Sequence, residues 1–198
     1  MGAEGTGEVA GDGEEEKMIR KLFLLIAYSL LLTAFLGCGY TTRSLIAEQF
    51  KTIHIAQFTN KIEITSESGT ANKYKIYRPA LETELTQAVI DGFLSDGNLR
   101  PAKDENADLI LKGELLAFER DPLKYTDSDE VQEYRINLVV NISLWDNRAG
   151  KSLWEEKNFT GDATYFTQGR AARSEDSAVS EAVVDLARRI VERAVEEW

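Results

Sequence analysis

The sequence predicts an α+β domain in which a four-stranded sheet has two helices packed on one face. Four stretches show the period of two that half-buried strands have, and two others show the helical period of 3.6. Along the chain they follow one another as strand, helix, three strands, helix. Two helices in these positions can cover the same face of one sheet, which is typical of α+β folds.

The first strand and the first helix are separated by a polar stretch. Thr52–Phe58 is predicted to be a strand because isoleucines alternate with smaller or polar residues. Residues 59–77 are polar and contain Gly and Ser, which favours a loop. A helix is then expected from Pro79, which suits the first helical position, to a stop at Gly97. Its predicted apolar face comprises Leu81, Leu85, Ala88, Val89 and Phe93.

The next three predicted strands include the most regular pattern in the chain. Ala107–Phe118 has strand character, and residues 121–130 carry the Pro, Asp and Ser that mark a connection. Val131–Trp145 then alternates apolar and polar residues, which predicts an antiparallel sheet covered on one side. A turn at 146–150 and a strand over Lys151–Thr160 complete a predicted β-hairpin.

The last helix is predicted to follow a looser segment, residues 161–173. Ser174 can cap its first turn, and Glu175 and Asp176 favour the positive end of the helix dipole. The apolar stripe that would face the core comprises Val179, Ala182, Val183, Leu186, Ile190, Ala194 and Trp198.

Ahead of this domain, residues 18–37 have the order of a secretion signal. Arg20 and Lys21 form its positive end, an apolar run follows, and Gly37 is the small residue that a signal peptidase needs beside its cut. The run is shorter than the about 20 apolar residues that cross a bilayer, which disfavours a membrane-spanning anchor. Residues 1–17 are Gly- and Glu-rich, so we expect a disordered, misassigned extension with Met18 as the true initiator.

Cys38 follows the small residue directly. The stretch Phe35-Leu36-Gly37-Cys38 resembles the lipobox of bacterial lipoproteins, in which the cysteine sulfur takes a diacylglycerol, the signal is removed, and the new N-terminus is acylated. This resemblance implies that Cys38 anchors the domain in membrane lipid. An Asp at the next position favours retention in the inner membrane, whereas this chain has Gly39. The resemblance therefore implies the periplasmic side of the outer membrane.

Composition excludes several classes of function. Of the net charge of -11, residues 1–17 carry -5 and the signal carries +2, which leaves -8 for the 161 residues of the single domain, 38–198. Nucleic acid is therefore not an expected partner, because phosphate binding requires clustered Lys and Arg. His54 is the only histidine and Cys38 the only cysteine, so we expect no metal, no cofactor and no disulfide. No hydrolase or phosphate-loop motif is present, and we expect no enzyme activity.

Several stretches of the chain, in order, resemble the LptE family of lipopolysaccharide-assembly lipoproteins. They are Gly37-Cys38-Gly39-Tyr40, Thr52-Ile-His-Ile-Ala-Gln-Phe58, Ala107-Asp-Leu-Ile-Leu-Lys-Gly113, Glu133-Tyr134-Arg135, Gly150-Lys151-Ser-Leu-Trp154 and Asn158-Phe-Thr-Gly161. The resemblance implies a lipoprotein that sits inside the LptD-type β-barrel, plugs it, and assists lipopolysaccharide into the outer leaflet.

The predicted site residues follow from that role. Because the domain is acidic, contact with lipopolysaccharide phosphates must be local, through cations near strand connections. The expected contacts are Arg148, Lys151, Arg120 and Lys124. The polar strand-face residues Asn137, Asn141 and Ser143 are alternatively expected to face the barrel lumen, which is polar. An alternative interpretation is that the chain is a lipoprotein that activates a peptidoglycan synthase. A long linker after the cysteine would favour this alternative, but the first predicted strand starts soon after Cys38.

Overall fold

The computed structural model describes residues 49–62, 74–75, 78–103 and 106–195, together with positions 17, 20, 21, 24 and 25. The chain divides into two compact units, Met1–Thr42 and Arg43–Trp198. In the first unit the five described residues are helical and exposed. The lipid attachment site expected at Cys38 and most of the signal lie outside the described residues, as does Trp198. No helix among the described residues combines the length and the apolar character needed to cross a membrane.

The second unit is built on one mixed sheet and two helices. Its described strands are β1 (Thr52–Ile55), β2 (Thr59–Asn60), β3 (Tyr74–Lys75), β4 (Arg100–Pro101), β5 (Leu109–Tyr125), β6 (Val131–Asp146) and β7 (Lys151–Phe166). The strand order is β4-β1-β5-β6-β7, with β2 and β3 both paired to β5. The first strand runs parallel to β4 and β5, whereas β5, β6 and β7 form an antiparallel meander.

The α+β class is correct, but the expected count of four strands is wrong. The described sheet has seven strands, because β2, β3 and β4 add two residues each to the four predicted ones. Two of these short strands lie inside residues 59–77, which were expected to be a loop. A two-residue strand has no measurable periodicity, so only its pairing with a neighbour defines it.

Two of the long strands also extend further than predicted. β5 continues to Tyr125 and β7 continues to Phe166, through segments that were expected to be irregular. Pro122 lies where the register of β5 against β6 shifts, between Pro122 and Lys124, and such a bulge is a place where a strand tolerates proline. The 16-residue strand β6 lies between β5 and β7 and pairs with both along nearly its whole length. This pairing explains why β5 and β7 are longer than predicted.

The helices are α1 (Leu81–Asp96) and α2 (Glu175–Val195). Pro79 is not the first helical residue, because Ala80 follows it in a left-handed conformation (φ 62°) and α1 begins after that kink. The expected stop is confirmed, since Gly97 ends the helix with φ 77° and donates its amide to the Phe93 carbonyl at 3.1 Å. The predicted cap of α2 is also confirmed: the amide of Ser177 donates to Ser174 Oγ at 3.2 Å.

Both helices pack with one face of the sheet into a shared hydrophobic core. From β6 it includes Ile136, Leu138, Val140, Ile142 and Leu144, and from α2 it includes Val179, Ala182, Val183, Leu186, Ile190 and Ala194. Two glycines allow especially close packing. Gly113 makes room for the buried ring of Phe58, and Gly161 allows the backbone of α2 to lie directly on β7 at Leu186.

Candidate functional site

The face of the long strands that points away from the helices is largely polar, although Ile110, Ala117 and Val139 also lie on it, and we call it the open face. Along β6 every second residue from Ile136 to Leu144 is buried, while the residues between them remain half-buried. Ladder pairing places β5 and β7 residues beside them. Across the three strands the open face includes Lys112, Glu114, Glu119, Arg135, Asn137, Asn141, Ser143, Trp145, Glu155 and Thr160.

Asn137, Asn141 and Ser143, which were expected to face a barrel lumen, share this face of β6. Asn137 Nδ2 donates to Glu119 Oε2 at 3.3 Å, and Asn141 Oδ1 accepts the amide of Asn158 at 3.1 Å. Ser143 Oγ accepts the indole N–H of Trp145 at 3.3 Å. These bonds join neighbouring strands or neighbouring residues on one strand, so part of the hydrogen-bonding capacity of each side chain is left for a partner.

One end of the open face is recessed into a groove, which we call the Trp145 groove. Its volume is about 390 Å³, and it crosses β5, β6 and β7 near the β6–β7 turn. The ammonium group of Lys112 lies 4.8 Å from the centroid of the Trp145 ring, a cation–π contact. Local sequence patterns do not single out either residue, because only the register of β5 against β6 brings them together.

Arg148, expected to contact lipopolysaccharide, forms an ion pair within the domain. Its guanidinium binds Asp108, which also accepts the amides of Lys51 at 2.8 Å and Thr52 at 3.1 Å. Burial acts to raise the pKa of Asp108, but the hydrogen bonds from Lys51, Arg148 and Thr52 outweigh it and hold that pKa below its usual value. Arg148 therefore ties the β6–β7 turn to the start of β1.

Arg120 is also committed to an internal contact. It lies within β5 and donates to Glu175 Oε2 at 2.6 Å, which joins the sheet to the first turn of α2. Tyr165 donates to the same oxygen at 3.2 Å, and the Arg120 guanidinium lies 5.0 Å from the Tyr134 ring centroid. Burial and the Glu175 carboxylate raise the pKa of Tyr165 to about 12, so this phenol remains a neutral donor.

The two predicted lysines are exposed and, unlike the two arginines, form no ion pair within the described residues. Lys151 lies opposite Asp146 at the β6–β7 turn, and Lys124 lies opposite Glu133 near the β5–β6 turn. Thirteen residues of β6 separate these two positions, which corresponds to about 40 Å. The four predicted cations therefore form two separate pairs, one at each end of the long strands.

His54 has a structural contact. Its Nδ1 donates to the carbonyl of Ala102 at 3.1 Å, which links the first strand to the end of β4. Within the described residues, no group of three His, Cys, Asp or Glu side chains is arranged to hold a metal ion.

Comparison with known proteins identifies the family. Solved structures with a similar arrangement include the rare lipoprotein B from Shewanella oneidensis (17% identity, 71% of this chain and 92% of that chain, TM-score 0.42). A minor lipoprotein from Acinetobacter baumannii (16%, 74% and 94%, 0.46) and the PelC dodecamer from Paraburkholderia phytofirmans (14%, 79% and 96%, 0.43) are comparably similar. No curated protein matches the sequence significantly.

These structural similarities are too low to assign a function. The family match is more extensive, because the family described as lipopolysaccharide-assembly matches residues 50–194, which span the described sheet and nearly all of both helices. The chain therefore belongs to the LptE family of lipopolysaccharide-assembly proteins.

Proposed function

We propose that this chain is a non-enzymatic outer-membrane lipoprotein that binds and plugs an LptD-type β-barrel and assists lipopolysaccharide into the outer leaflet. The match to the lipopolysaccharide-assembly family over residues 50–194 is the observation that carries the proposal. The lipobox that ends at Cys38 supports an anchor in the outer membrane, on its periplasmic side. The anchor would keep the domain close to any barrel in the same membrane.

We propose that the open face is the surface that meets the barrel. The lumen of a large outer-membrane barrel is polar, so a plug needs a polar surface to contact it. Asn137 and Asn141 present amides there, and the neighbouring Arg135 is exposed. The helices pack on the opposite face with the core, which leaves the open face available as an interface.

Replacing Asn137 with Trp tests this orientation. The indole would stand between the open face and a closely packed partner, so we expect the amount of barrel that co-purifies with the lipidated protein to fall about tenfold. Val184→Trp is the matched control, because Val184 is 63% exposed on α2 and lies on the helix side of the domain. The control should retain the barrel. Loss of the barrel with Val184→Trp but not with Asn137→Trp would contradict the proposal.

We propose further that the cations at the two ends of the long strands contact lipopolysaccharide. Arg148 and Arg120 are already paired with Asp108 and Glu175. They would therefore act on a phosphate through their positive charge more than through free hydrogen-bond donors. Lys151 and Lys124 are exposed and carry the unpaired ammonium groups. An exposed ammonium group can neutralise a phosphate locally although the domain is acidic overall.

Substitutions of the two cations at the β6–β7 turn distinguish an effect on lipopolysaccharide binding from an effect on the stability of the domain. Lys151→Gln is expected to weaken binding of purified lipopolysaccharide about threefold without changing the melting temperature, because it removes the charge, sets no carboxylate opposite Asp146, and Lys151 forms no ion pair among the described residues. Arg148→Glu would set a carboxylate against Asp108 and should cost about 2 kcal/mol of unfolding free energy as well.

Lys61→Gln, at another exposed lysine, is the control and should leave lipopolysaccharide binding unchanged. Unchanged binding by Lys151→Gln and by Lys124→Gln would remove the lysines from the proposal. Recovery of a peptidoglycan synthase in place of a barrel would favour the alternative role of the lipoprotein.

A further inference from the structure

Strand β7 forms one edge of the described sheet, because β6 is the only described strand with which it pairs. The N–H and C=O groups on the other side of an edge strand can accept a strand from another molecule. The opposite edge of the strand order is blunted, since β4 has two residues and one of them is Pro101. β7 has 16 residues and no proline, so its edge is the one that requires protection.

The last part of β7 is the part that best fits a partner strand. The register of β7 against β6 shifts twice before residue 159, whereas it does not shift from Phe159 to Phe166. Asn158 has φ 54°, next to the second of these irregularities along β7. A bulge bends a strand and turns its edge away from a straight partner. The regular stretch 159–166 is therefore the main site for strand addition on this edge.

Residues of α2 cover this stretch by binding its outward backbone groups, and we call Thr160–Phe166 the covered edge. The guanidinium of Arg189 donates to the carbonyl of Thr160 at 3.4 Å. The amide of Asp162 donates to Asp185 Oδ2 at 3.2 Å. These bonds use backbone groups that an added strand would otherwise bind.

Arg173, which lies just before α2, covers the rest of the edge. Its guanidinium donates to the carbonyl of Thr164 at 2.6 Å, and its backbone amide donates to the carbonyl of Phe166 at 3.0 Å. Alternate residues of a strand direct their backbone groups to the same side. Every second residue from 160 to 166 therefore has one outward group bound by the segment 173–189.

The covering side chains are held in position by ion pairs. Arg189 Nε lies 2.8 Å from Asp185 Oδ2, and Arg173 Nη1 lies 2.5 Å from Glu181 Oε2. Both arginines are about two-fifths exposed, with side-chain exposures of 40% and 43%. Ion pairs at this exposure contribute little to stability, so their main consequence is to fix the two guanidinium groups over the edge of β7.

We infer that the covered edge is a latent strand-pairing surface, and that Arg173, Asp185 and Arg189 prevent it from pairing with the same edge of a second copy of this chain. Two identical strands related by a twofold axis form an antiparallel pair in which each contact occurs twice. Five of the eight residues from Phe159 to Phe166 are Phe, Thr or Tyr, which favour strands. Asp162 is the only charged residue among the eight, so two copies would meet little repulsion there.

Sedimentation velocity of the full chain in a density-matched detergent tests the inference. The double variant Arg173→Ala/Arg189→Ala uncovers two carbonyls, and we expect its dimer dissociation constant to be at least about tenfold lower than that of the unmodified protein. The matched control is Arg170→Ala/Arg188→Ala, which removes the same charge. Arg170 is exposed, and Arg188 pairs with Asp185 and Glu192 on α2. The control should sediment like the unmodified protein.

A proline distinguishes strand pairing from a general loss of stability. The carbonyl of Thr164 points away from β6, so its amide does too, and Thr164→Pro leaves the ladder to β6 intact while it blocks an added strand. Adding this change to the double variant should restore the monomer, which a merely destabilised protein would not do. Arg173→Ala alone uncovers one carbonyl and should give a smaller shift toward dimer, and it serves as the test if the double variant does not fold.

The inference is overturned if the folded arginine variants stay as monomeric as the unmodified protein, if the control associates equally, or if Thr164→Pro leaves the association unchanged. These measurements need no barrel and no lipopolysaccharide. Their failure would therefore leave the proposed function untouched.

Discussion

Gly161→Ala is expected to destabilise the domain by about 3 kcal/mol, at the upper end of the cost of overpacking a core. A Cβ built on Gly161 would lie 2.5 Å from the Cα of Leu186 and 2.6 Å from its amide nitrogen. These are backbone atoms in the middle of α2, so no side-chain rotation can relieve the clash. The helix would have to move away from β7 and give up part of the core packing of Leu186 and its neighbours.

Urea unfolding of the two proteins measures this effect, and the midpoint should fall while the slope stays the same. Gly150→Ala is the matched control. Gly150 has φ 63° in the β6–β7 turn, but nothing lies within 4 Å of its added Cβ, so only the left-handed backbone is penalised. We expect about 1 kcal/mol for that change. An equal loss in both variants would show that close packing of α2 on β7 is not what position 161 requires.

Cys38→Ala is expected to abolish acylation of the protein completely. Cys38 is the only cysteine in the sequence, so no second thiol can accept the lipid. Two or more acyl chains hold a protein firmly to a bilayer, whereas a single chain holds it only marginally, at about 0.8 kcal/mol per buried methylene. Cells supplied with labelled palmitate should therefore label the unmodified protein and not the variant.

Mass spectrometry of the mature N-terminus provides the independent measurement, since it reports the cleavage site and the acyl groups together. Phe35→Leu is the control, because it keeps the apolar character of the lipobox and leaves the cysteine in place. That variant should incorporate palmitate. An unacylated Cys38 in the unmodified protein, or labelling that survives Cys38→Ala, would contradict the lipoprotein assignment.

Local sequence patterns predicted the long elements because the relevant residues are neighbours along the chain. The alternation from Ile136 to Leu144 defines a strand with one buried face, and that face is buried in the structure. The stripe of α2 is likewise buried at the positions that the helical period selects, and Ser174 caps it. Each of these features depends on side chains that lie close together in the sequence, within one or two helical turns or within a single strand.

The lengths of β5 and β7 could not be predicted in the same way. Pro122 and Gly161 normally interrupt strands, so the sequence indicates a break at each. In the structure the ladder to β6 continues in register past Gly161 and with a register shift past Pro122, because β6 pairs with the residues on either side of each. The pairing depends on two segments that are distant in the sequence, so the pattern of either segment alone does not predict it.

The sequence by itself determined the α+β class, the two helices, the apolar faces of the long strands and the resemblance to the family. The tertiary structure decided that Arg148 and Arg120 are held in ion pairs by Asp108 and Glu175, and that Lys112 meets Trp145 in a groove. The physical reason is range: periodicity and capping act between nearby residues, whereas the partner of a charge or a ring is set by strand register across tens of residues.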